Sequence, residues 1–194
     1  EYQDIKSELN ILKEEKLTNH FLKLENKKLR NLINENVSSK EILSKVLIDK
    51  ESPFLKSIVL NKGSKDNVKI GMAIMDGSYL VGKIIEVNYT NSRALLLSDL
   101  NSKIPVMLLP DRIQAVVSGT GENHGVIEYT KEKLDNKINE KDRIIYTSGF
   151  AGLFKSGIPV GRMFKNSNGR INFFSNFTQL EYVKIVAFDM ESQK

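Results

Sequence analysis

Three residues of this chain occur in an order that could carry acyl-transfer chemistry. His124, Asp135 or Asp142, and Ser148 follow the His–Asp–Ser order of one serine-protease class. In that chemistry the imidazole takes the serine proton and the carboxylate orients the imidazole. The spacing argues against it. All of them fall between residues 124 and 148, too close in sequence to be spread over two β-domains as that mechanism requires. Beyond Ser148-Gly149 no nucleophile motif surrounds the serine. His124 lies in Gly119-Thr120-Gly121-Glu122-Asn123-His124-Gly125, which reads as a solvated hairpin turn. The same glycines make no phosphate cradle, because they join strands, whereas a cradle opens a helix. With two histidines and no cysteine, a metal would depend on carboxylates, and Asp99 and Asp142 read as isolated turn caps. No catalytic residue, metal ligand or cofactor is expected.

Other conspicuous residues read as structural. Ser148 is expected to satisfy backbone groups at the turn after a strand. Gly63, Gly71, Gly82, Gly149, Gly157, Pro159 and Gly161 are expected to let strands turn corners or approach closely. The net charge is +5, but Lys and Glu alternate through the first fifty residues and no block of one sign stands out. That pattern fits a solvated surface better than nucleic-acid binding. The absence of cysteine excludes disulfides and leaves the redox compartment open. No apolar run reaches the roughly 18 residues of a membrane span, and no signal peptide is visible. Because Glu1 already lies within a helical pattern, a membrane anchor is expected upstream.

The elements that position these residues are of two kinds. Residues 1–50 contain no glycine or proline and read as one helix ending before Pro53. Ile5, Leu9, Leu12, then Leu17, Phe21, Leu24, then Leu29, Leu32 step by three or four within each group. Between groups the step is five, so the heptad phase slips. So narrow an apolar stripe suits a dimeric coiled-coil seam rather than a globular core, and Lys16 and Asn26 near it would temper its strength. The dimer is expected to be parallel. From residue 51 onward, turn pairs and short β-branched runs alternate. Strands are expected near 58–60, 72–75, 80–87, 93–97, 104–108, 115–117, 125–129, 143–146, 160–164, 171–174 and 183–187. Asp76-Gly77 and Asn168-Gly169 look like type I′ hairpin turns, and the charged segment 131–142 interrupts the pattern. So many short strands suit two small barrels better than one large one.

Several motifs occur together, in order and at natural spacing. They are Asn61-Lys62-Gly63-Ser64-Lys65-Asp66-Asn67-Val68-Lys69-Ile70-Gly71-Met72, Leu80-Val81-Gly82-Lys83-Ile84, and Leu96-Leu97-Ser98-Asp99 with Asn101-Ser102 and Ile104-Pro105-Val106. Tyr146-Thr147-Ser148-Gly149 leads to Phe154 and Gly157-Ile158-Pro159-Val160-Gly161, and Leu24-Glu25-Asn26-Lys27-Lys28-Leu29-Arg30 precedes them all. Together they resemble the MreC family of bacterial cell-shape proteins. Three departures are local: Asn67 replaces a glycine, Lys141 replaces the glycine of a turn, and Lys155-Ser156 loosens the loop before Gly157.

The resemblance implies a mainly β protein with a long N-terminal helix and two small β-barrels of chymotrypsin-like topology, without protease function. The expected division is a coiled-coil helix over 1–50, a first barrel over 51–104 with a strand contributed by 181–190, and a second barrel over 105–180. The implied role is a non-catalytic scaffold of the cell-elongation machinery. It would be extracytoplasmic and membrane-anchored, and would dimerise through Leu9, Leu12, Leu17, Phe21, Leu24, Leu29 and Leu32. Implied partners are class B penicillin-binding proteins and other shape-determining membrane proteins; the alternative is a periplasmic adaptor subunit of a transport complex. The loop Phe150-Ala151-Gly152-Leu153-Phe154 is unusually apolar. With Phe173, Phe174 and Phe177 it is expected either to bind the partner or to plug its own barrel.

Overall fold

The computed structural model describes residues 2–32, 39–51, 56–130, 141–152 and 154–188. Residues 1–38 and 39–194 form separate compact units. The first contains α1 (Tyr2–Leu32), 31 residues without glycine or proline, or about 46 Å at 1.5 Å per residue.

The helix is shorter than its sequence suggests. Residues Ser39–Glu51 are strand β1, not the end of a helix, so the first barrel starts at 39 rather than 51. The misleading feature is a β-bulge. Ile42, Ser44 and Val46 alternate with the exposed Leu43, Lys45 and Leu47, but the register shifts between Val46 and Ile48. The inserted Leu47 breaks the two-residue period and leaves apolar residues at 42, 43, 46 and 47, a helical spacing. An inward serine disguises the strand further. Ser44 is buried, and its hydroxyl donates to Asn61 Oδ1 at 3.0 Å.

The remaining strands are β2 (Lys56–Leu60), β3 (Ala73–Asp76), β4 (Tyr79–Val87), β5 (Ser92–Leu96), β6 (Lys103–Leu109), β7 (Ile113–Gly119), β8 (His124–Thr130), β9 (Arg143–Thr147), β10 (Pro159–Met163), β11 (Arg170–Phe173) and β12 (Tyr182–Phe188). They close into two antiparallel six-stranded barrels, ordered β1-β12-β3-β4-β5-β2 and β10-β11-β8-β7-β6-β9. Lys103 and Ile104 therefore open the second barrel, and the chain returns to the first with β12, between β1 and β3. Closure leaves neither sheet a free edge.

Alternation fills the interiors. Ile58, Leu60, Ile74, Ile84, Val183 and Ile185 point into the first barrel; Ile104, Val106, Leu108, Val117, Ile145 and Ile171 point into the second. Each such side chain contributes about 1.5–3 kcal/mol when fully buried. In β4, Leu80, Val81 and Gly82 are buried in succession, because this strand also lies against β10 of the second barrel. Gly82 admits no side chain there: a Cβ would stand 2.1 Å from the Leu95 carbonyl oxygen. Across the junction, Tyr79 and Phe174 stack with ring centroids 5.1 Å apart. The connector after β5 is fixed by buried Asp99. Its carboxylate accepts from the Lys56 backbone N–H at 2.7 Å, and from the Asn101 backbone and side chain at 2.7 and 3.0 Å.

The turns show the same economy. Asn67 has φ 64°, the left-handed conformation that asparagine tolerates best after glycine. Asn168 and Gly169 both have positive φ, whereas at Asp76-Gly77 only the glycine does. The two-residue loop there is Gly77-Ser78, with glycine first, as a type II′ turn prefers. Segment 131–140 lies outside the described residues.

Candidate partner-binding surface

The helix displays its apolar stripe to solvent. Leu9, Leu12, Leu17, Phe21 and Leu24 are 48–70% exposed, as are Ile5, Ile11 and Leu22 nearby. The side chains of Leu29 and Leu32 lie outside the described residues, although their backbone is helical. Large apolar side chains in such a row are costly in water, and pairing with another helix would cover them.

The aromatic cluster of the second barrel divides differently from the expectation of one binding patch. Phe154 is 3% exposed and Phe177 4%, both within the hydrophobic core. These two are buried rather than available as contacts. Phe154 is buried because its loop folds back onto the barrel, and Phe177 because it opens the 3-10 turn Phe177–Gln179 facing the core. Phe173 is half-buried and packs edge-on against Phe177 at 5.4 Å. Phe174 is half-buried and is taken by Tyr79. Phe150 remains, 64% exposed, and Leu153 lies outside the described residues.

Thr147 holds this loop, a role its place in the Tyr146–Gly149 motif did not disclose. Fully buried, its hydroxyl donates to the Lys155 carbonyl and accepts from the Ile158 backbone N–H at 2.9 Å. Its own carbonyl accepts from the Gly157 N–H at 2.9 Å. One side chain thus ties both ends of the turn, between Gly149 (φ 75°) and Gly157 (φ 90°). Ser148 accepts from the Phe150 backbone N–H at 3.3 Å. At Gly161 a Cβ would stand 2.4 Å from the Asn172 carbonyl oxygen, so β10 and β11 approach closely there. Pro159 opens β10, and Gly71 (φ 89°) and Gly63 occupy the turns flanking residues 64–70.

The residues weighed for acyl transfer each have other partners. His124 Nδ1 lies 3.3 Å from Arg170 Nη2 and 3.4 Å from Glu122 Oε2. Asp142 accepts from the Lys165 backbone N–H at 2.9 Å. Asp135 lies outside the described residues. No group of three or more metal-ligating side chains occurs among the described residues.

The misread strand conceals further exposed apolar surface. Leu43 (64%), Leu47 (52%) and Tyr182 (54%) lie on the outer side of β1 and β12, beside the Lys184–Glu41 ion pair of 2.8 Å. Three carboxyls are held below their ordinary range. Arg143 and then Lys141 lower Asp111, with Arg143 Nη1 2.6 Å from its Oδ2. Lys103 and then Ser118 lower Glu128. The Gly63 backbone N–H and then Lys62 lower Asp66.

Comparisons with known proteins place this geometry. Residues 46–187 match the family model described as "Rod shape-determining protein MreC, barrel core". The cell shape-determining protein MreC of Haemophilus influenzae is 32% identical over 79% of this chain and 44% of its own length. That of Cereibacter sphaeroides is 31% identical over 95% of this chain and 62% of its own length. The chain therefore spans about half the length of these curated relatives. Among solved structures, MreC of Listeria monocytogenes superposes with a TM-score of 0.76 over 98% of this chain and 99% of that one, at 21% identity. MreC of Pseudomonas aeruginosa gives 0.66 over 76% of this chain and 99% of that one, at 27% identity. A complex between penicillin-binding protein PBP2 and MreC from Helicobacter pylori gives 0.53 at 12% identity, covering 76% and 98% of the two chains. With a family match running from inside β1 to inside β12, and with both barrels in place, the chain belongs to the MreC family of rod shape-determining proteins.

Proposed function

We propose that this chain is a non-catalytic scaffold of the bacterial cell-elongation machinery, working on the outer side of the cytoplasmic membrane. Its helix pairs with that of a second copy, and its barrels bind a class B penicillin-binding protein and other shape-determining membrane proteins. The observation that carries this reading is the row Leu9, Leu12, Leu17, Phe21 and Leu24. These side chains lie exposed on a helix that forms a compact unit separate from the barrels. Such a surface serves association and has no evident use in catalysis. Membership of the family, and the Helicobacter relative's complex with PBP2, support the choice of partner.

The test is replacement in a rod-shaped bacterium depleted of its own family member. The full-length protein is expected to restore rods, and its Leu17→Asp/Leu24→Asp variant, at equal abundance, to leave cells rounded. Rods restored equally by both would remove the helix from the mechanism. Rods restored by neither would remove the scaffold reading.

A further inference from the structure

The second barrel carries an outward face with two arginines that meet no carboxylate among the described residues. Four neighbouring strands, β9, β10, β11 and β8, are crossed by one row of paired residues. Ile144 stands opposite Arg162, Arg162 opposite Asn172, and Asn172 opposite His124. In the next row Arg170 stands opposite Val126. Phe164 follows Met163, so alternation places it on the side of Arg162. Arg162, Phe164, Arg170, Asn172 and Val126 are exposed, while the intervening Ile145, Met163 and Ile171 are fully buried. The row therefore faces outward.

Among the described residues some barrel cations meet an acid, while others, such as Lys45, Lys69, Lys83 and Arg112, meet none. Lys184 pairs with Glu41, Arg93 with Glu86, Lys103 with Glu128, Lys141 and Arg143 with Asp111. Arg162 and Arg170 do not meet a carboxylate among the described residues. Arg170 Nη2 lies 3.3 Å from His124 Nδ1, which also lies 3.4 Å from Glu122 Oε2. Two nearby acids are committed elsewhere, Asp142 to the Lys165 N–H and Glu128 to Lys103 and Ser118. Arg162 and Arg170 thus stand diagonally on neighbouring strands, bordered by the apolar Phe164, Val126 and Ile144.

We propose that this face docks an acidic, partly apolar segment of a partner protein, with its carboxylates on Arg162 and Arg170 and its apolar side chains on Phe164, Val126 and Ile144. A guanidinium offers a planar fork that grips carboxylates with two hydrogen bonds. Arginine beside aromatic and aliphatic side chains is the usual composition of an interface centre. A free phosphate would use the arginines and leave the apolar border in water. A lipid surface draws on many lysines, and the paired positions of β10 with β9 and β11, and of β11 with β8, hold none. The proposal rests on the scaffold reading only in requiring a protein partner, and it adds the chemistry by which one would be held.

The test titrates the full chain, carrying nitrogen-15, with a synthetic peptide of about twelve residues containing glutamates and two leucines, followed by nuclear magnetic resonance. Saturable shifts are expected at the amides of β10 and β11 and at the Arg162 and Arg170 side chains. Arg162→Gln/Arg170→Gln should weaken binding at least about tenfold, roughly 1.4 kcal/mol, without lowering the melting temperature. The same peptide with glutamine for glutamate should not bind. Equal binding by the double variant or by the glutamine peptide overturns the proposal, as does an absence of saturable shifts. Binding of phosphatidylglycerol vesicles through these arginines, without peptide binding, also overturns it and assigns the face to lipid. A penicillin-binding protein that binds the chain while the peptide does not would sink this inference and leave the scaffold reading intact.

Discussion

Phe150 and Phe154 sit four residues apart in one loop, yet one is 64% exposed and the other 3%. Phe154→Ala should lower unfolding free energy in urea by about 3–4 kcal/mol, whereas Phe150→Ser should change it by less than about 0.5 kcal/mol. Comparable losses for both would mean that the loop is not folded onto its barrel. A second residue-scale expectation concerns acid. Asp111, Glu128 and Asp66 have carboxyl pKa values lowered in the fold, each by a partner. Their stabilisation is present in full above the unfolded values near pH 4, and is lost as pH falls through the lowered folded values. Asp111→Asn should therefore show a smaller fall in melting temperature below about pH 4 than the parent chain. An identical fall would assign acid sensitivity to other groups. The turn glycines were legible in sequence because few residues suit positive φ. The burial of Phe154 was not, since composition alone leaves an apolar loop free to face inward or outward.

At the level of elements, eleven of the twelve strands could be read from alternation and turn residues. The exception, β1, carries a bulge at Leu47 and an inward Ser44, which together mimic helical spacing. This strand pairs with both β12 and β2, and so closes the first barrel. A fragment of residues 39–194 should unfold cooperatively, while one of residues 52–194 should lose hydrogen-exchange protection in β2 and β12. Full protection in the shorter fragment would contradict the assignment of β1. The exposed helix stripe makes the complementary expectation. The chain should sediment as a dimer at low micromolar concentration, and Leu17→Asp/Leu24→Asp, which puts charge into an apolar seam, as a monomer. A double variant that stays dimeric would transfer self-association to the barrels.

Across the whole molecule, a separate helical unit precedes a barrel pair whose interiors are filled by side chains and whose sheets have no free edge. On the scaffold reading proposed above, closed barrels would present surface at little conformational cost, and a helix paired with a second copy would multiply weak contacts. The sequence disclosed this architecture through motifs lying at turns and crossings, such as Asp99 at the connector and Thr147 beneath its loop. It could not disclose the outer face of Arg162 and Arg170, which arises only when four strands come into register. The scaffold reading is tested most directly by calorimetric titration of the full chain with the extracytoplasmic part of a class B penicillin-binding protein from the same cell. Saturable binding is expected, and it should persist with residues 39–194 alone. No heat of binding up to about 100 μM, a free energy weaker than about −5.5 kcal/mol, would contradict it.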